Sequence, residues 1–149
     1  MAQASARMLF YDIETSLMPV AVFALSHNDY IDPINILEER YIICGSWLWE
    51  GEKKVHSVSV LDDPKRYKKN PHDDQFVIET LHKVLSSADA LCGHNADAFD
   101  KRYIDTRILY HGLTALPPII SVDTYKIAKT RFSFASNKLD YVGKYLGVG

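Results

Sequence analysis

Two acids stand two residues apart, Asp12 and Glu14, in a run that is otherwise apolar: Met8-Leu9-Phe10-Tyr11-Asp12-Ile13-Glu14. On a β-strand that spacing puts both side chains on one face. Two carboxylates on an apolar strand repel each other and lose hydration unless a cation neutralises them. A hard divalent ion such as Mg²⁺ or Mn²⁺, which takes oxygen ligands, would resolve the conflict. The bland alternative is a strand that ends at Tyr11, with both acids solvated or capping a loop. A further acid, Asp100, closes the stretch Gly93-His94-Asn95-Ala96-Asp97-Ala98-Phe99-Asp100, which follows a short apolar run and enters a helical pattern. In the first turn of that helix, Asp100 would face the end of its own strand. Asp97 and Asp100 could equally be helix N-terminal acids, each stabilising the dipole by roughly 0.3–1 kcal/mol; for Asp97 that is the expectation. Asn95 could be an Asx cap of the same helix.

The elements that must position these acids follow from periodicity. After the first strand comes a long connection through Pro19, His27, Asn28, Asp29 and Pro33. Two β-rich runs, 41–49 and 55–61, are separated by Gly51 and Glu52 and read as a hairpin. Asp62-Asp63-Pro64 ends the second run, and a basic loop leads to Asn70-Pro71. From 73 to 88 the period turns helical, with Val77, Leu81, Val84, Leu85 and Ala88 on one face and Asp73 and Asp74 favouring the N-terminus. A buried strand at 90–93, a helix over 98–111 stopped by Gly112, a strand at 119–122 and two short helices, 124–130 and about 136–147, complete the chain. The order β-β-β-α-β-α-β-α predicts an α/β fold, a mixed five-stranded sheet flanked by helices. With the fourth strand parallel beside the first, the site would lie at the C-terminal ends of those central strands.

Composition narrows the classes. A chain of 149 residues with 47% hydrophobic residues fits one domain with a real core, expected over residues 1–149. No apolar run approaches the roughly 20 residues of a membrane span, and the N-terminus lacks an apolar secretory core. Cys44 and Cys92 sit between apolar neighbours and predict buried, reduced thiols in a cytoplasm (a host's, for a viral protein). The net charge of −2 does not announce a nucleic-acid binder. Acids gathered around metal ions would offset basic residues elsewhere, so the clusters Lys65, Arg66, Lys68, Lys69 and Lys126, Lys129, Arg131, Lys138 carry more information than the sum. A solvated loop explains the first cluster equally well.

Together these residues resemble the DEDD, or DnaQ-like, 3′–5′ exonucleases of the ribonuclease H-like superfamily, which include polymerase proofreading domains. Tyr11-Asp12-Ile13-Glu14-Thr15 looks like the first motif, Asp-x-Glu-Thr. Asn95-Ala96-Asp97-Ala98-Phe99-Asp100 is similar to the second, Asn-x-x-x-Phe-Asp, as in B-family polymerase exonucleases. Ser121-Val122-Asp123-Thr124 and Ser136-Asn137-Lys138-Leu139-Asp140-Tyr141-Val142 look like segments between the second and third motifs, so the likeness runs in order along nearly the whole chain. The resemblance implies two Mg²⁺ or Mn²⁺ ions about 3.5–4 Å apart that clamp a phosphodiester. It implies that Asp12, Glu14 and Asp100 are catalytic metal ligands and that Thr15 and Asn95 position the terminal nucleotide, with Phe99 packing beneath. A 3′-ended or single-stranded nucleic acid is the implied substrate, DNA with RNA left open, and a DNA polymerase or replication protein an implied partner.

The pattern breaks at its third motif, Tyr-x-x-x-Asp or His-x-x-x-x-Asp, which supplies the last ligand and the general base. No Tyr-x-x-x-Asp occurs. The one His-x-x-x-x-Asp, His27 to Asp32, falls before the hairpin and reads as a loop capping cluster, while Asp140 reads as structural. The expectation is therefore a domain short of its final helix, with weak or no hydrolysis and an apolar face left uncovered. Two alternatives stand beside it: a non-catalytic nucleic-acid-binding or assembly domain, and a ribonuclease H-like endonuclease. Six scattered histidines give a small-molecule enzyme little support.

Overall fold

Strand β1 (Met8–Thr15) alternates as its sequence dictates: Leu9, Tyr11 and Ile13 are buried, while Phe10, Asp12 and Glu14 emerge on the opposite face. The structure is a computed structural model and describes residues 6–23 and 30–148. β2 (Ile42–Trp49) runs antiparallel to β1, and β3 (His56–Ser59) antiparallel to β2. On the other side β4 (Ala90–Gly93) lies parallel to β1, and β5 (Ile120–Asp123) parallel to β4. The sheet order is β3-β2-β1-β4-β5, the expected mixed five-stranded sheet with the fourth strand parallel beside the first.

Helix α1 (Pro64–Lys69) corrects the expected basic loop. Asp63 caps it by accepting from the Arg66 N–H, and Pro64 takes the first-turn position where a missing N–H costs nothing. That capping pattern was present in the sequence, but six residues without an apolar stripe gave no helical period. The preceding strand is also shorter than expected, because residues 60–62 turn into a 3-10 helix closed by a Ser59–Asp62 capping box.

Helix α2 (Gln75–Ser86) buries Val77, Ile78, Leu81 and Leu85 against β2 and β3. Helix α3 (Asp100–Tyr110) buries Ile104 and Ile108 and ends where Gly112 turns left-handed, φ +67°. Helices α4 (Thr124–Arg131) and α5 (Leu139–Leu146) follow β5. α5 buries none of its residues. The expected apolar face holds Leu139, Val142 and Leu146, and these line an apolar groove of about 1070 Å³ against α4. Among the described residues no helix is long and apolar enough to cross a membrane.

Asp74 stands at the N-terminus of α2 as expected, but its side chain makes no capping bond there, and Asp73 accepts from the Gln75 N–H in a turn just before the helix. The Asp74 side chain is fully buried and accepts from Arg107 Nε and Nη2 at 2.8 and 2.6 Å and from the Ile42 N–H at 2.8 Å, and it lies 2.6 Å from His111 Nε2. One carboxylate thus joins the start of β2, the start of α2 and the end of α3. Arg107 was unforeseen in the core, and Tyr110 stacks on its guanidinium at 4.2 Å.

Candidate active site

The pairing of β1 with β4 stops at Phe10 opposite Cys92. Beyond that point the Ile13 N–H donates to Asp100 Oδ1 at 2.9 Å, a bond that carries α3 to the C-terminal end of β1. Ile13 lies between Asp12 and Glu14, so the structure brings Asp100 to the pair that the sequence singled out. On the β2 side the register slips between Glu14 and Thr15: Glu14 faces Cys44 and Thr15 faces Ile42. This break in register falls at the strand end where the two acids emerge, and such irregularities are common beside active sites.

Charge at this end is uncompensated. Asp100 is 3% exposed. Burial first, and then the charges of Asp12 and Glu14, push its carboxyl up to about 6 against the pull of the Ile13 N–H. Partial burial and Glu14 raise Asp12 as well. Among the described residues no Lys, Arg or His forms a salt bridge with Asp12, Glu14 or Asp100. Three oxygen donors short of positive charge suit a hard divalent cation. The side chains are not drawn into a cage, however: among the described residues no group of three or more His, Cys, Asp or Glu is arranged to hold a metal ion.

The turn entering α3 is held from beneath by a residue whose role sequence reasoning missed. Asp123, 4% exposed, accepts through Oδ1 from the N–H groups of Asn95, Tyr125 and Lys126 and through Oδ2 from that of Asp97. It therefore caps α4 and pins the Asn95 loop at once. The visible clue was an acid directly before a helical segment, which names a cap but not its second task. Asn95 is exposed and left-handed, φ 63°, and its carbonyl accepts from Ala98 and Phe99. Its side chain makes no hydrogen bond among the described residues, so the Asx-cap alternative is not realised. Phe99 precedes the first turn of α3, half-buried against Tyr103 at 4.8 Å. Asp97 is not a helix N-terminal acid, because α3 starts at Asp100; it pairs with Lys126 at 2.6 Å and accepts from the Ser121 hydroxyl, which lowers its pKa.

Gly93 ends β4 under this loop, and a Cβ there would lie 2.5 Å from Ala96 Cβ and 3.3 Å from the Tyr11 carbonyl. Gly93→Ala should therefore cost about 1–3 kcal/mol by overpacking. Chemical denaturation measures this, and a neutral substitution would show that the loop can move away from β1. His27 lies outside the described residues. Asp32 does cap, accepting from the Ile34 N–H at the start of a 3-10 turn (Pro33–Asn35). Asp140 pairs with Lys144 on the surface of α5. Cys92 is buried and Cys44 only half-buried; both are free thiols, raised chiefly by burial.

The chain is an α/β domain, a mixed five-stranded sheet with flanking helices, an arrangement compatible with a ribonuclease H-like fold. Among solved structures it is similar to a family B DNA polymerase from the hyperthermophilic archaeon Pyrobaculum calidifontis, with a TM-score of 0.67 and 18% identity over 98% of this chain. The match spans only 19% of the polymerase chain. No protein-family model and no curated protein sequence matches. At this identity the likeness concerns the fold.

Proposed function

We propose that this chain is a metal-dependent 3′–5′ exonuclease domain acting on nucleic acid, DNA in the first instance. The observation that carries the reading is the meeting of Asp100 with Asp12 and Glu14 at one strand end, with no Lys, Arg or His paired to any of them among the described residues. Asp12, Glu14 and Asp100 would hold Mg²⁺ or Mn²⁺, and such ions supply Lewis-acid activation of water and charge neutralisation at the phosphate. Asp100 keeps its carboxylate fixed through the Ile13 N–H. Thr15, beside the register shift, and Asn95, whose side chain makes no hydrogen bond among the described residues, would orient a terminal nucleotide, and Phe99 would supply an apolar floor. A polymerase or replication-protein partner and a reducing cytoplasmic setting accord with this reading. No third-motif acid or base occurs in sequence order, so hydrolysis by these residues alone should be slow.

Calorimetry and a nuclease assay test it. Mn²⁺ at ten times its Kd stabilises by about 1.4 kcal/mol, a rise of roughly 3–6 °C in Tm, and Asp12→Ala should abolish the rise. A single-turnover assay on a 3′-labelled oligonucleotide should release mononucleotides slowly. Internal cuts would indicate an endonuclease instead. The absence of a preformed three-donor group favours one second reading, a nucleic-acid-binding or assembly domain without chemistry, for which neither Mn²⁺ stabilisation nor product is expected.

A further inference from the structure

The basic cluster at residues 65–69 finds no use in the site described so far. Its position is fixed by topology. β3 runs parallel to β1, because each is antiparallel to β2. Glu14, Cys44 and Ser59 form one row across the three strands, so β3 ends at the same sheet edge as the acids. The 3-10 turn and α1 follow there directly.

A chain of contacts ties α1 to the end of β1. Ser16, two residues past Glu14, exchanges hydrogen bonds with Tyr41: its N–H donates to the Tyr41 carbonyl at 2.9 Å, and its hydroxyl accepts from the Tyr41 N–H at 3.1 Å. The Tyr41 ring stacks on His72, just past α1, at 5.0 Å. The Tyr41 hydroxyl is raised by burial first and then by Glu38 and Tyr67. Arg40, next to Tyr41, is half-buried with its guanidinium 5.9 Å from the Tyr103 ring of α3. Its Nε is buried without a partner, and among the described residues Arg40 forms no salt bridge.

The charges along this edge are unequal in their freedom. Arg66 is spent on Asp63, Asp73 and Gln75, which anchors α1. Asp62 is engaged by Ser59, and Glu38 by His72. Lys65, Lys68 and Lys69 are exposed and, among the described residues, in no salt bridge; Glu39 and Asp62, like the acids of the candidate site, also have no cationic partner among those residues. Lys68 and Lys69 near a helix C-terminus are explained by the dipole alone. Lys65 is not, because a cation in the first turn opposes it.

We propose that Arg40 and the lysines of α1 form a cationic ledge that receives the phosphodiester backbone of a single-stranded nucleic acid leading to the candidate active site. The proposal rests on the reading of that site as one that acts on nucleic acid. An anchored helix with free lysines, next to an arginine lying over an aromatic ring, is the combination of charge and ring faces that suits a single strand.

The test is binding of a fluorescein-labelled 16-nucleotide oligothymidylate in chelating buffer, titrated over salt concentration. Each phosphate contact on a single strand contributes roughly 0.7 to the slope of log K against log salt. Lys65→Ala/Lys68→Ala/Lys69→Ala should flatten the slope by about 2 and weaken low-salt binding at least tenfold, with an unchanged Tm. Arg40→Ala should flatten it by a further 0.7 or so. An unaltered slope in the triple variant, no binding by the unmodified chain, or equal competition by polyglutamate would each overturn the ledge. Hydrolysis and Mn²⁺ stabilisation are read separately: binding that follows this pattern with neither product nor a Mn²⁺-induced rise in Tm sinks the exonuclease reading and leaves the ledge standing.

Discussion

Asp74→Ala should destabilise the chain by about 3–5 kcal/mol, because it strands a buried guanidinium. That loss corresponds to a fall in melting temperature on the order of 10 °C. The carboxylate it removes is fully buried and holds Arg107 through two bonds, together with His111 and the Ile42 N–H. Arg107 is itself 9% exposed and could not regain water without opening α3. The comparison with Asp74→Leu/Arg107→Met separates the pair's net worth from the cost of breaking it. Removing both charges should be milder than removing one, since apolar groups of similar volume need no partner. Urea denaturation of the two variants supplies the numbers. A single variant within about 1 kcal/mol of the parent would mean that Arg107 finds another acceptor.

Asp100→Asn should have the second-largest effect, and in the opposite direction. Without divalent metal the variant should melt roughly 5–10 °C higher than the parent at pH 8 and close to it at pH 4. In the folded chain the Asp100 carboxyl is pushed up from 3.8 to about 6. Between those values the folded form keeps a proton that the unfolded form has lost. This group's stabilisation is therefore complete below the unfolded value and disappears as pH rises through 6. Above it the fold carries a buried anion costing on the order of 3 kcal/mol. Asparagine has no charge, yet its Oδ1 can still accept from the Ile13 N–H. Mn²⁺ should stabilise the parent and leave the variant unmoved, since a ligand has gone. A variant less stable than the parent at pH 8 in chelating buffer would show that the charged form of Asp100 is welcome in the fold.

Most of the sheet could be read from local patterns. The apolar runs at 8–14 and 90–93 and the Gly51 turn specify strands through composition and turn chemistry, and a helical crossover between β3 and β4 makes β4 parallel to β3 and so to β1, but does not choose β1 as its neighbour. The partners of Asp74 could not be read. A buried acid and a helix-starting acid look alike in sequence, and Arg107 and His111 lie far along the chain. The same blindness hid the double duty of Asp123. The candidate site was legible in part: the spacing of Asp12 and Glu14 fixed their common face, and the Asn95–Asp100 stretch placed Asp100 in a first turn. That Asp100 would reach the Ile13 amide depends on β4 ending at Gly93 while β1 continues, which no local propensity encodes. Helix α1 escaped because a single capped turn and a half has no stripe to detect.

The bond between Asp100 and the main chain of β1 also makes one amide an observer of its neighbour. The nitrogen-15 and proton resonances of residue 13 should move as the carboxylate across from it takes up or releases a proton, and should move again when that oxygen turns toward an added cation. A single backbone cross-peak would then follow titration and ion occupancy in the resting molecule, with no substrate and no turnover.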